Sequence, residues 1–241
     1  MMEVRKASER GIGRSSWLDS RHTFSFSNYY DPKQVGFSDL LVINDDRVQP
    51  GTGFSTHPHQ NMEIFSYVLE GALAHKDSMG TGSVIYAGDI QMMSAGTGIL
   101  HSEFNDSDKA MVHFLQIWII PDRENVKPRY IQKHFSPAEK RGKLKLVISP
   151  DESDGSLPVY QDIRIYAGLF DGIEAEELIL DENRYAFVHV AQGTLTVNDQ
   201  TLEEGDGVRI RRETSLRFKR GENAEILVFD MRPIEVPDIE W

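Results

Sequence analysis

His57 and His59 stand two residues apart in the stretch Gly51 to Glu63, GTGFSTHPHQNME, and Glu63 follows His59 by four. A second stretch, Gly88 to Asn105, GDIQMMSAGTGILHSEFN, carries His101 and Glu103, again two apart. In a β-strand, residues i and i+2 point to the same face. His57 and His59 can therefore aim at one point, and so can His101 and Glu103. If the two strands face each other, three imidazoles and a carboxylate converge. Such a set, with coordination positions left over, suits Fe(II), Mn(II) or Ni(II) chemistry. The alternative for the same residues is a polar interior that holds no metal.

The elements that position this set belong to a chain of 241 residues, enough for one large β domain or two small ones. It has no cysteine, which excludes disulfides, thiolate nucleophiles and Cys-ligated zinc or iron–sulfur sites. A metal would have to be held by histidine, carboxylate or water. The formal net charge is −12, from 26 basic and 38 acidic residues. A surface this acidic is unsuited to sequence-independent phosphate binding, so no nucleic-acid partner is expected. The densest basic run, Arg209 to Arg220, alternates with Ile210, Leu216 and Phe218 and reads as a solvated strand face. The opening MMEVRKASERGIGR is charged and has no apolar core, so no secretory signal is expected. No apolar run approaches the roughly 20 residues of a membrane helix, and a cytoplasmic location with no membrane partner is expected.

Short strands separated by turn signals run through the chain. Phe24 and Phe26 alternate with Thr23, Ser25 and Ser27 as in a half-buried strand, and Asp31-Pro32 reads as a turn. Leu40 to Ile43 is an apolar strand that Asn44-Asp45-Asp46 is expected to end. The His57 strand is expected to continue through Ile64, Tyr67 and Val68 to Gly71, which gives Glu63 the parity of the two histidines. Met111 to Ile120 is the longest strand. Pro121 to Pro137 breaks the pattern, and the residues from Pro137 can open a short helix. Strands then resume from Leu144. Tyr67-Val-Leu-Glu-Gly-Ala-Leu-Ala resembles His189-Val-Ala-Gln-Gly-Thr-Leu-Thr, and each is followed by a Gly-Asp turn, Gly88-Asp89 and Gly205-Asp206. The reading is all-β, with two tandem β-barrels of jelly-roll type and short helical connections. Residues 1–133 would form the metal-binding barrel and residues 134–241 a second barrel that lacks the ligands. The other histidines read as structural: His22 as a hydrogen-bonded group, His113 as core, and His75, His134 and His189 as lacking a spaced partner.

The two histidine stretches resemble the first and second motifs of the cupin superfamily, with Ser94 where the general motif has proline and a longer gap between Gly96 and His101. These departures, together with His101-Ser-Glu103, resemble the pirin family. So do the stretches Trp17 to Asp31, Leu41 to Asp46, His57-Pro-His59, His75 to Gly80 and Leu115 to Ile119. The likeness is strongest to a bacterial quercetinase-like branch, from about residue 2 to residue 165, and thins beyond. The resemblance implies a bicupin with one divalent transition metal in the N-terminal barrel, held by His57, His59, His101 and Glu103. It implies Fe(II), with Mn, Ni, Cu, Co or Zn as alternatives. It moves Glu63 out of the ligand set, to a place where a carboxylate orients a ligand imidazole. Phe54, Phe65 and Tyr67 are the candidates to line the pocket.

A metal so held can bind the deprotonated oxygen of an enol and prepare it for O2, and Glu103 lies where it can accept the hydroxyl proton. The resemblance thus implies a quercetin 2,3-dioxygenase type of activity, with a flavonol and O2 as substrates and carbon monoxide released. The alternative is an iron-binding regulator that acts through protein partners without turnover of its own.

Overall fold

A computed structural model describes residues 1–237. They form twenty strands, one α-helical turn and two 3-10 turns, so the all-β expectation holds. The strands make three sheets. One has seven strands, in the order Arg129–His134, Asp89–Ser94, Glu63–Glu70, Val112–Ile119, Leu40–Val48, Leu18–His22, Gly11–Arg14. A four-stranded sheet, in the order Gly53–His59, Ile99–Asn105, Ala72–Asp77, Gly82–Tyr86, faces it. The remaining nine strands form the sheet of the second half.

The inner strands of the seven-stranded sheet are buried on both faces. Residues in register across antiparallel strands share a face. One row runs His22, Asn44, Gln116, Ser66, Gln91, Gln132, so a polar ladder crosses the sheet towards the four-stranded partner. The opposite face carries Ile43, Phe65, Tyr67, Met92, Leu115 and Ile117. These join Val147, Ile165, Phe187 and Phe229 of the second half in one apolar cluster. Burial of that seam, at roughly 25 cal/mol per Å² of apolar surface, joins the two halves.

The second half has its own core around Val188, Val190, Leu195, Val208, Phe218 and Val228. Its sheet also takes in Met2–Arg5, which pairs antiparallel with Gly207–Arg211. The internal similarity has a structural counterpart. Glu63–Glu70 lies between Asp89–Ser94 and Val112–Ile119, as Tyr185–Val197 lies between Gly207–Arg211 and Ser215–Met231. Gly71 and Gly193, which match in the repeat, both take positive φ, +78° and +70°. A Cβ at either would meet backbone oxygen, at 2.9 Å and 2.3 Å respectively.

Several expectations need correction. Asn44, Asp45 and Asp46 do not end a strand; they sit buried within Leu40–Val48. Their side chains alternate between the polar ladder face and the opposite face, where Asp45 is paired by Arg10, Arg47 and His113. Phe24 and Phe26 follow the strand Leu18–His22 rather than form one, and Thr23, Phe24 and Ser25 are all buried. Arg209 is not on a solvated face. Its guanidinium lies 5.5 Å from the Phe24 ring centroid and donates to Gln34. The short helix Pro137–Lys140 forms as expected, with Ser136 and Glu139 closing a capping box. The point between residues 133 and 134 falls inside Arg129–His134, which belongs to the seven-stranded sheet.

Candidate metal centre

The strand Gly53–His59 pairs antiparallel with Ile99–Asn105 and sets His57 opposite His101. A register shift between His101 and Glu103 then places Glu103 opposite Phe54. Such a bulge re-aims a side chain. Only glycine fits beside it, because a Cβ on Gly53 would lie 2.3 Å from the Glu103 carbonyl oxygen.

The ligand atoms of His57, His59 and His101 all lie within 4.8 Å of one another. The Nδ1–H of His57 can donate to the Ser55 carbonyl oxygen at 2.8 Å, which leaves the Nε2 lone pair facing inward. That Nε2 is 2.9 Å from His101 Nε2. The Nε2 of His59 is buried and has no hydrogen-bond partner. Burial lowers the His59 imidazole to about 4, with the neighbouring His57 adding to the shift. Burial likewise lowers His101 to about 2, helped by His57, His59 and His75. Both rings are neutral at pH 7, the state a metal ligand needs.

Glu103 comes from the same strand as His101 and is fully buried. Ser66 donates to its Oε1 at 3.2 Å and Gln116 to its Oε2 at 2.6 Å, both from the polar ladder of the facing sheet. Burial pushes its carboxyl above the usual range, against the pull of His75, His57 and these two donors.

His75 is the residue that local spacing misses. It is the cross-strand neighbour of Glu103, and its ring joins His101 and Glu103 in a second group of three whose ligand atoms lie within 4.8 Å. Asp77 anchors its Nε2 at 2.9 Å, the Tyr130 ring packs on it at 4.7 Å, and its buried Nδ1 has no partner. The only signal in the sequence was the pairing register of Ala72–Asp77 with Ile99–Asn105, which does not follow from residue spacing.

Three expected site residues lie elsewhere. The chain leaves its extended path at Gln60 to Met62, where Asn61 has φ +48°, and Glu63 enters a different sheet. The parity of His57 and His59 is lost there. Glu63 accepts from the Ser94 hydroxyl at 3.1 Å and the Tyr160 backbone at 3.2 Å, and orients no imidazole of the centre. Burial pushes its carboxyl up to about 7. Phe65 and Tyr67 share Glu63's face and belong to the seam between the halves, not the pocket. The Tyr67 hydroxyl bonds Glu225 and accepts from Lys140 at 2.7 Å. Phe54 does face the cavity, edge-on to Trp17 at 5.1 Å.

That cavity, about 430 Å³, opens beside the centre and has His57, His59 and Glu103 in its wall. Its size falls within the roughly 300–1,000 Å³ of small-molecule sites. Trp118 stands edge-on to His59 at 4.8 Å and to Phe26 at 5.4 Å. His22, Asn44 and Asp46 complete the far wall. None of the three was assigned to the pocket from sequence, since Asn44 and Asp46 read as a turn and His22 as hydrogen-bonded. Burial lowers His22 to about 4. Burial raises Asp46 to about 7, and Asp45 and Glu103 add to the shift. His113, His134 and His189 are away from the cavity; the first two pair with Asp45 and Asp89, and His189 is wholly buried.

The donor set fits a divalent transition metal. It offers neutral imidazoles, an inward lone pair on His57, an unpartnered Nε2 on His59 and a carboxylate held by two donors. Among the described residues, no helix is long and apolar enough to cross a membrane.

Known proteins resemble this chain over most of its length. The pirin family profile matches residues 3–119, and that of the quercetinase C-terminal cupin domain matches residues 146–231. A quercetin 2,3-dioxygenase of Escherichia coli K12 is 45% identical over 97% of this chain and 100% of its own. The crystal structure of YhhW from Escherichia coli superimposes with a TM-score of 0.93, at 44% identity over 98% of this chain and 100% of that one. The bacterial pirin YhhW in complex with nickel(II) gives 0.92 at 44% identity, over 97% and 100% of the two chains. The fold is a bicupin.

Proposed function

The chain belongs to the pirin family, and from that membership we propose that it is a metal-dependent dioxygenase of the quercetin 2,3-dioxygenase type. One observation carries the reading: His57, His59 and His101 converge beside a cavity of small-molecule size, and Glu103, grouped with His101 and His75, stands in its wall. The proposed ligands are His57, His59, His101 and Glu103. They would hold one divalent metal in the N-terminal half, proposed as residues 1–133, and residues 134–241 would bind none. The donors suit Fe(II), and they suit the Ni(II) named in the complex of the Escherichia coli relative. We place the protein in the cytoplasm.

When bound, the metal supplies a Lewis acid that favours the deprotonated 3-hydroxyl of a flavonol and a position for O2. The chain's own groups do the rest. Glu103 accepts the hydroxyl proton, and burial, which raises its affinity for a proton, suits it to that task. Ser66 and Gln116 hold the carboxylate in place as its charge changes. Trp118 and Phe54 give the flat ligand an apolar wall and exclude water from the reacting face. One O2 is consumed and one carbon monoxide leaves as the heterocycle opens to a depside.

The test is oxygen uptake with quercetin after stripping and reloading with Fe(II), Mn(II), Ni(II), Cu(II) or Co(II), with carbon monoxide monitored. Uptake with matching carbon monoxide, lost in Glu103→Ala, is the expected result. A protein that binds one metal per chain and takes up no oxygen with any of them would instead be the regulator acting through protein partners.

A further inference from the structure

Part of the cavity's wall holds polar groups that nothing in the chain satisfies. Asn44 Oδ1, Asp46 Oδ1 and His22 Nδ1 are buried and have no hydrogen-bond partner, and neither has the indole Nε1 of Trp118. All four residues line the same space. Buried polar groups in native proteins are nearly always paired. A cluster of them around one cavity, whose wall also carries Trp17, Phe26 and Phe54, describes a ligand by its complement. It is aromatic, and it carries hydroxyl groups that can donate to carboxylate or amide oxygen and accept from an indole N–H.

The register fixes where those groups stand. Asn44 is paired with Gln116, whose amide holds Glu103. It therefore lies one strand over, about 4.8 Å from Gln116's strand, and Asp46 lies two residues further along, about 7 Å. His22 continues the same ladder on the next strand. Ser20 stands opposite Asp46 in the register. The polar row that supports Glu103 thus runs on past it into open space.

We propose that Asn44 and Asp46, with His22 and Trp118, form a recognition subsite for the ring hydroxyls of a polyphenol whose enol end is presented to His57, His59 and Glu103. This rests on the dioxygenase reading of the same cavity and adds to it the specificity for hydroxylated rings. A site built to pair a hydroxyl discriminates strongly against the analogue that lacks it, because the buried partner is then left unmet.

The experiment measures binding without oxygen, by tryptophan fluorescence and calorimetry, on the Ni(II)-loaded protein. The probes are quercetin and 3-hydroxyflavone, which keeps the 3-hydroxy-4-keto pair and lacks the other hydroxyls. The wild type is expected to prefer quercetin by about tenfold or more. Asn44→Ala and Asp46→Ala are expected to bring the two affinities together by weakening quercetin alone. Asn44→Leu and Asp46→Leu, which keep the volume, give the same comparison should either alanine variant fold poorly; folding is checked by thermal midpoint and by one metal per chain. Equal binding of both probes to the wild type, or parallel loss of both in the variants, would overturn the subsite and leave the dioxygenase reading standing. Failure of both probes to bind the loaded wild type would overturn that reading itself.

Discussion

Gln116 reaches across the gap between the two sheets of the first half and donates its Nε2–H to Glu103 Oε2 at 2.6 Å. The carboxylate comes from one sheet and its orientation from the other. A hydrogen bond to a charged group contributes about 1.5–3 kcal/mol, and loss of an outer partner of a ligand typically costs about 10–100-fold. Gln116→Ala is therefore expected to lower kcat/KM for quercetin by about 10–100-fold. Steady-state oxygen uptake checks this, and an unchanged value would show that Ser66 alone suffices.

His75 presents an unpartnered Nδ1 to His101 and Glu103 while Asp77 holds its other nitrogen. His75→Phe removes that nitrogen and keeps a ring against Tyr130. Metal affinity, read by competition with a chromogenic chelator, is expected to fall about 10–100-fold. Wild-type affinity in this variant would reduce His75 to packing.

Glu63 is buried with its carboxyl raised to about 7, from an ordinary 4.5. Below pH 4.5 it is protonated in both the folded and unfolded states and imposes nothing. Between 4.5 and 7 the unfolded chain releases its proton and the folded chain does not, so stability falls as pH rises, and the deficit is complete above 7. Glu63→Gln keeps an acceptor for the Tyr160 backbone and removes the charge. It is expected to unfold at higher urea than wild type at pH 8, by about 1–3 kcal/mol, and to match it at pH 4.5. Because Glu63 touches no ligand of the centre, metal content should not change; loss of metal would return Glu63 to the site.

Tyr67 belongs to the seam, where its hydroxyl meets Lys140 and Glu225. Tyr67→Phe should leave the KM for quercetin unchanged and lower stability by about 1.5–3 kcal/mol, the size of a lost hydrogen bond to a charged group. A raised KM with unchanged stability would put the ring back in the pocket.

The proposed ligands were legible as candidates because they pair at i and i+2, where strand geometry turns side chains to one face. The same rule misplaced Glu63. It carries only as far as the strand does, and the turn at Asn61 resets the parity. Asn44 and Asp46 were hidden for the opposite reason. Three polar residues in a row look like a turn, and only the pairing of Leu40–Val48 on both sides shows that they lie inside a sheet facing a cavity. His75 depends on which residue faces which across strands, a long-range fact with no trace in local pattern. The tandem architecture was legible in the repeated Gly and Gly-Asp positions, which mark the same turns in both halves.

The earliest of the described strands in chain order is among the last that can find its place. Met2 lies opposite Ile210 in the sheet. At about 5–20 residues per second, Met2–Arg5 waits on the order of tens of seconds for its partner to be made. Closing so long a loop is entropically slow, and relatively few contacts reward it until the second half has folded. Meanwhile Gly11–Arg14 and Leu18–His22, which wall the cavity, have an unanchored segment hanging from their outer edge. Maturation of the pocket is thereby tied to completion of the far half. A nascent chain stalled before residue 207 would already carry His57, His59, His101 and Glu103 and still lack the strand partner of Met2–Arg5.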